Sequence, residues 1–482
     1  RLCIPAYTRL VRIYTQRAEF SRASLCAYRG LNLATVLGPS IELVNAKVTL
    51  GMLQFNWKLI DSASRLAKDL GDDKCCTACL VAKGRLLTAE GRWREAEEVL
   101  ASTVRDGQHR RDMSALGMGY YVLGASTFAH GDNFQVALSY SERILSLGHQ
   151  HNDKRFKHWG LLGRLRDLNQ LGRTVDAVPA RAEVESLMTE SWPVMLRSDK
   201  ILSLGVCLRS YVAENDLKSV FKLLRDRCDT SNLLLQKPTT WMDVEGYSAV
   251  IATITTLVEN GMSTMVEDSF LSVCVYHTVD KYMDLVLSAF CSFATHYRVA
   301  LPRAYLLRGL WLRAYHKKKN IDLWAGYFLK SWNLSKTLQM PFDEQLAEQE
   351  LAKIQEQYQS VDDSAPDFQD RDLQRNLSQK LLLEGGAPDS ASWDPELFRA
   401  SIDVILDEIE DVWGRVASPA LWTAMDTIER VLESNTPNRN NQGKGDQHAN
   451  LTKIWNERRP VHTPACKLLI SLCKARYLRE LV

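Results

Sequence analysis

The sequence has no apolar run of the roughly 18–20 residues that a bilayer-spanning helix needs. The nearest approaches, residues 270–276 and 285–291, are short, and each is interrupted by a serine, so no membrane span is expected. A dominant charge is also missing. Sixty basic residues face 58 acidic ones, for a net charge of +2. Bulk nucleic-acid binding needs a concentrated basic face, so no nucleic-acid partner is expected. A disulfide framework is excluded by number and spread: eleven cysteines, an odd count, lie scattered over 482 residues. Cys26, Cys207, Cys274, Cys291 and Cys473 fall inside apolar helical patterns. They read as reduced thiols packed as small hydrophobes, which points to a cytoplasmic setting. No initiator Met precedes Arg1 and no signal-peptide pattern follows it, so the chain is expected to be part of a longer polypeptide whose other segments could carry chemistry.

Catalytic signatures are missing as well. Gly443-Lys444 sits in a loop, but the position five before Gly443 is Asn438, so the phosphate-binding loop pattern fails. There is no H-E-x-x-H and no G-x-S-x-G. A cyclase-type metal pair needs two aspartates on adjacent strands, and no sustained period-2 segment predicts a strand. No catalytic residue, cofactor or metal is therefore expected.

What is present is a soluble globular composition, 45% hydrophobic and 24% charged, and a repeat. A helix ends in a small turn, and the second helix carries an alanine five or six residues later. Gly91-Arg92-Trp93-Arg94-Glu95-Ala96 is the clearest copy, Gly131 to Ala137 a second and Gly172 to Ala177 a third. Ala18 to Ala23 is an earlier copy with alanine in the glycine place. The turn glycines 91, 131 and 172 lie 40 and 41 residues apart, longer than a strict repeat of about 34 but suited to longer helices. Glycine accepts the left-handed backbone that ends a helix, and the alanines (Ala23, Ala96, Ala137, Ala177) let two helices cross closely. On the helix after Gly91, residues Trp93, Ala96, Leu100 and Val104 share a face; after Gly131, Ala137, Tyr140, Ile144 and Leu147 do. Caps follow Gly38 and Gly71 and the Gly148–Asp153 stretch, each placing a stop before an N-cap. A helix pair cannot bury its apolar face alone, so neighbours must stack. The predicted fold is an all-α superhelix of tandem TPR-like helix pairs, with a more irregular helical C-terminal part.

Length alone allows roughly two to four domains, but a solenoid can run this long unbroken. Residues 1–190 hold the clear repeats. Residues 191–357 continue them, blurred to about 300 around Pro193, Gln236-Lys237-Pro238 and Gly261, then regular again with Leu306, Leu310, Trp324, Phe328 and Trp332. Phe342 or Asp343 is expected to open another helix. A polar linker is expected over 358–393, and a C-terminal helical segment over 394–482 with a disordered gap near 435–450. Within it, residues 395–416 form a helix with Phe398, Ile402, Ile405, Ile409 and Val412 on one stripe and Asp403, Asp407, Glu410 and Asp411 opposite; the acidic face reads as a wet face or a dock for a basic partner.

Several clusters invite a sharper reading. Cys75, Cys76 and Cys79 share a helix, but zinc would need a further ligand or two, with His109 the nearest in sequence; buried thiols are the expected role. His149, His151 and His158 sit at a repeat boundary and read as solvated turn residues. The run His316-Lys317-Lys318-Lys319 reads as a solvated helix end favoured by the helix dipole. Trp93, Trp159, Trp311, Trp324 and Trp332 either pack between repeats or line a peptide groove.

The ordered series Arg29-Gly30-Leu31-Asn32-Leu33-Ala34, Leu37-Gly38-Pro39-Ser40, Glu42-Leu43 and Leu50-Gly51 resembles the C-terminal TPR-like region of class III adenylyl/guanylate cyclases coupled to an AAA-like, STAND-type ATPase. Gly91-Arg92-Trp93 with Glu95-Ala96, Trp159-Gly160-Leu161-Leu162-Gly163 and Leu338-Gln339-Met340-Pro341-Phe342 are similar to its later repeats. The similarity covers roughly residues 5–175 and 300–356; the middle segment and the chain past about 360 depart from it. It implies a non-catalytic regulatory scaffold whose partners are proteins or neighbouring domains of a parent ATPase or cyclase, and it supplies no catalytic residue. The alternative is a free-standing adaptor that binds peptide segments. A groove lined by exposed Asn, Lys and Arg favours the adaptor; a groove filled by the chain itself counts against it.

Overall fold

The computed structural model describes residues 3–276, 278–316 and 321–362. The chain divides into two compact units, Arg1–Gly386 and Ala387–Val482, and the described residues all belong to the first. The helix expected over 395–416, the gap at 435–450, most of the expected linker and Lys317–Lys319 of the basic run lie outside them.

Every regular element among the described residues is helical. The first ten helices are α1 (Cys3–Gln16), α2 (Phe20–Leu37), α3 (Ile41–Leu53), α4 (Trp57–Asp69), α5 (Asp73–Glu90), α6 (Trp93–Arg110), α7 (Met113–His130), α8 (Phe134–Gln150), α9 (Lys154–Gln170) and α10 (Thr174–Ser191). They form five antiparallel pairs. Each odd helix packs on its own partner, on the preceding even helix and on the next odd helix, so the odd helices make an inner layer and the even ones an outer layer.

The sequence explains the layering. On α7 only Ser114 is exposed, because its apolar and small residues run round the whole circumference, and such a helix must be surrounded. On α4 and α6 the buried residues form a single stripe (Ile60, Ala63, Ala67; Trp93, Ala96, Leu100, Val104), and the opposite face is charged. The alanines Ala23, Ala96, Ala137 and Ala177 are buried at the crossings. Glycines inside helices allow approaches closer still: a Cβ on Gly160 would sit 2.6 Å from the Leu145 backbone nitrogen. Most stops are left-handed residues at the helix C-terminus. At Gly91 the amide bonds to Thr88 and that of Arg92 to Leu87, which satisfies two end carbonyls. Ala18, Phe55, Arg111, Asn152, Asn215 and Gln339 do the same work at positive φ without being glycine. Ser40, Asn56, Asp72, Asp112, Asn133 and Asp153 then cap the next helix with their side chains.

The blurred middle keeps the same layering. Helices α11 (Arg197–Ala213), α12 (Leu217–Asp226), α13 (Thr230–Leu234), α14 (Val244–Glu259), α15 (Ser263–Ser269) and α16 (Val279–Ala294) follow. α11 packs on α9 and then directly on α14, at a crossing where a Cβ on Gly205 would meet the Gly246 carbonyl at 2.7 Å. The outer layer is broken here by the short helices α12, α13 and α15, which erases the repeat period from the sequence. α17 (Leu301–His316), α18 (Ile321–Thr337) and α19 (Pro341–Asp362) resume the regular packing. α19 begins at Pro341, a favoured first helical position and one residue before the expected start. It also runs to Asp362, so the expected linker onset at 358 is corrected: the helix persists for a further turn.

The turn glycines differ in what surrounds them. A Cβ on Gly131 would lie 2.7 Å from Cβ of Phe342, whereas nothing lies within 4 Å of one on Gly172. Gly172→Ala should therefore lose only the left-handed strain, about 1 kcal/mol. Gly131→Ala should lose about two to four times as much, because overpacking adds about 1–3 kcal/mol. Urea unfolding midpoints of the two variants check this, and equal losses would show that the Phe342 contact gives way freely.

Candidate functional site

A solenoid of helix pairs offers an inner groove as its natural site. Here three late turns enter that region and meet the turns of the early pairs. Trp93 at the start of α6 donates its indole N–H to the Leu338 carbonyl over 2.6 Å, and the bond is buried. Phe55, in the turn before α4, packs edge-on against Tyr297 with ring centroids 4.8 Å apart. Phe134, at the start of α8, packs edge-on against Phe342 at 5.3 Å. Trp241, Val299, Leu338 and Met340 share one apolar core with Trp93, Leu100, Tyr120 and Ile144. The chain thus fills this part of its groove with its own residues.

Beside that seam lies a cleft lined by Tyr121 and Gly124 of α7, Ser141 of α8, Trp159, Gly163 and Arg166 of α9, Leu202 of α11 and Met242 of the turn before α14. Tyr121 and Trp159 stack with centroids 4.1 Å apart and planes 11° from parallel. Behind them the polar groups are largely spoken for. Arg166 donates from Nε to Asp167 at 2.8 Å, Ser141 donates to the other Asp167 oxygen at 2.7 Å, and the Arg166 guanidinium lies 4.1 Å from the centre of the Phe128 ring. Asp167 is fully buried, and burial, opposed by Arg166 and Ser141, pushes its carboxyl up to about 6. Asp243 accepts from the backbone and hydroxyl of Thr239 at 2.7 and 2.8 Å, which pins the turn that carries Trp241 and Met242. Asp199 at the start of α11 is pushed up to about 7, by burial first and then by the Asp243 carboxylate.

A second buried network clamps four successive inner helices. Glu245 of α14 pairs with Arg209 of α11 at 2.5 Å and with Arg303 of α17 at 3.4 Å, and Arg303 also pairs with Asp343 of α19 at 2.5 Å. Neither network offers an exposed nucleophile held beside a general base, the arrangement that covalent catalysis requires. Their chemistry is that of fixed ion pairs and hydrogen bonds holding helices in register.

No protein-family model matches the chain, and no curated protein matches it.

The residues singled out in the sequence fall as follows. Gly38, Gly71, Gly91, Gly131 and Gly172 all have positive φ. Trp93, Trp311 and Trp324 are buried; Trp332 is half-buried with Lys336 over its ring at 4.9 Å; Trp159 alone of the five lines the cleft. Cys75 and Cys79 are buried against Val44, Ala63 and Ala67, and burial, helped by the Asp72 contact, pushes the Cys75 thiol up to about 12. Arg110, not His109, reaches the neighbouring Asp73, at 2.9 Å. Among the described residues no group of three or more His, Cys, Asp or Glu is placed to hold a metal ion. His149 and His151 are exposed. His158 corrects the expectation of a solvated turn residue: it lies inside α9, its Nε2 is buried without a partner, and burial lowers it to about 4. Sequence reading missed Tyr121, Arg166, Asp167, Asp199, Glu245, Arg303 and Asp343. A signal existed in Leu165-Arg166-Asp167-Leu168, where a charged pair sits between two leucines of the core stripe.

Two measurements test this account. Trp93→Phe leaves the Leu338 carbonyl buried without a donor and should lower stability by about 1–3 kcal/mol, read as a drop in the urea midpoint; an unchanged midpoint would mean the seam contributes nothing. Asp199 holds its proton in the fold to about 7 against an ordinary 3.8, so its contribution is complete below 3.8 and is lost as pH rises through about 7. Asp199→Asn should therefore raise the melting temperature relative to the parent at pH 8 and lose most of that advantage by pH 5. An advantage equal at both values would contradict the assignment.

Proposed function

We propose that this chain is the non-catalytic regulatory and scaffolding arm of a larger ATPase- or cyclase-type signalling protein, working in the cytoplasm. The observation that carries this reading is the self-filled groove. A free-standing adaptor of the helical-repeat kind holds a partner's peptide inside its groove; here Trp241, Val299, Leu338 and Met340 of the same chain occupy the core beside Trp93. Partners are then left to the outer faces and edges, as suits an arm that holds neighbouring domains at a set spacing. The ordered turn motifs from Arg29 to Gly51, and again around Gly91 and Trp159, support the cyclase-linked parent through their resemblance to that family's repeat region. The absence of a phosphate-binding loop in this chain assigns nucleotide chemistry to other parts of the parent.

The coding sequence upstream of Arg1 tests the proposal directly. It should encode a nucleotide-binding ATPase domain, with or without a cyclase domain. A reading frame that starts within a few codons of Arg1 would overturn the parent assignment and return the adaptor reading to first place.

A further inference from the structure

The outer helices of the first three pairs occupy equivalent positions, yet they present different surfaces. The exposed positions of α4 before its last residue are Lys58, Asp61, Arg65 and Lys68, and α6 exposes Arg94, Glu95, Glu97, Glu98 and Arg105. On α2 and the turn that follows it, Leu25, Tyr28, Leu33, Val36, Leu37 and Ile41 are exposed instead, Val36 to 88%. The α2–α3 corner is apolar through Val36, Leu37, Pro39 and Ile41, whereas the equivalent corners after α4 and α6 carry Asp72 and Asp73, and Arg111 and Asp112. Burying side chains like these from water is favourable by about 1.5–3 kcal/mol each, so a cluster of exposed apolar residues where the next two outer helices carry charge marks a contact surface.

The charge around this face is net basic. Between residues 3 and 45 there are five arginines, no lysine and two glutamates. Of the glutamates, Glu19 is already paired with Arg22 at 2.6 Å. Arg9, Arg12, Arg17 and Arg29 are exposed. α1 and α2 run antiparallel, with Gly30 against Tyr7, so Arg9, midway along α1, lies level with the part of α2 that carries Arg29, two turns before Val36. Arginines flanking exposed Leu, Val and Tyr on the outside of a helix match a bilayer interface with anionic headgroups.

We propose that the outer face of α2 and the α2–α3 corner form a peripheral binding surface for an anionic lipid bilayer, with Leu25, Leu33, Val36, Leu37 and Ile41 entering the headgroup region and Arg9 and Arg29 facing lipid phosphates and carboxylates. This is surface attachment only, since no helix among the described residues is long and apolar enough to cross a membrane. It stands independently of the parent protein proposed above.

The test uses the full chain and sedimenting vesicles of phosphatidylcholine alone or mixed with phosphatidylserine at roughly three to one. The chain should sediment with the mixed vesicles and not with phosphatidylcholine alone, and added salt should weaken binding. Val36→Glu with Leu37→Glu, and separately Arg29→Glu, should each weaken binding by about tenfold. Both variants lie on exposed positions, and unchanged helical circular dichroism will confirm that they fold. Failure to sediment with the mixed vesicles overturns the proposal, as does equal binding by the folded variants. Binding of a Leu/Glu amphipathic helical peptide to this face without any vesicle binding also overturns it and makes the face a protein contact.

Discussion

Helix α7 is apolar around its whole circumference, and the rest of the architecture answers that one constraint. A helix with no wet face must have neighbours on every side. α5, α6, α8 and α9 cover most of it, and the sides that would face an open groove are closed by the late turns carrying Trp241, Val299, Leu338 and Met340. The solenoid is therefore not an open spiral with a vacant inner surface. The pairs near α7 and the pairs near α17 stabilise each other across the seam, with Trp93 bonded to a carbonyl 245 positions away in the chain.

That closure shifts where function can reside. The groove, where helical repeats commonly hold peptides, contributes here to the core. Several polar groups near it are tied into pairs: Arg166 with Asp167, Asp243 with Thr239, and the Arg209–Glu245–Arg303–Asp343 series. Buried ion pairs of this kind add little net stability compared with apolar packing, yet breaking one costs about 3–5 kcal/mol because a charge is left stranded. Their effect is to penalise any slip of α11, α14, α17 and α19 against one another. A rigid, self-filled body with a distinctive outer face is the physical basis for reading the chain as a scaffold.

Much of this was legible before any coordinates. The glycine stops at 71, 91, 131 and 172, the caps behind them and the alanines at 23, 96, 137 and 177 follow from local backbone sterics, which depend on only a few neighbouring residues. Ala18 was recognisable in the glycine place because its surroundings matched the repeat. The left-handed stops at Arg111 and Gln339 were not recognisable, because nothing in those side chains announces a positive φ and stacking of the flanking helices imposes it. Between 191 and 300 the local signals persisted but the period did not, since the short helices α12, α13 and α15 interrupt the outer layer there.

The candidate site was hardly legible at all. Trp93 stood out as a repeat residue, but its partner is a carbonyl, and carbonyls carry no identity in a sequence. Phe342 could be expected near the start of a helix; that it would press against Gly131 depends on how far the superhelix curves. His158 looked like its neighbours His149 and His151 until packing of α9 removed it from water. Over the clear repeats the sequence by itself determined the helices, most of their ends and their pairing, because those arise from contacts within one repeat. The sum of small rotations between pairs could be settled only by the tertiary structure, and that sum brought the late turns onto the early ones and decided what fills the groove.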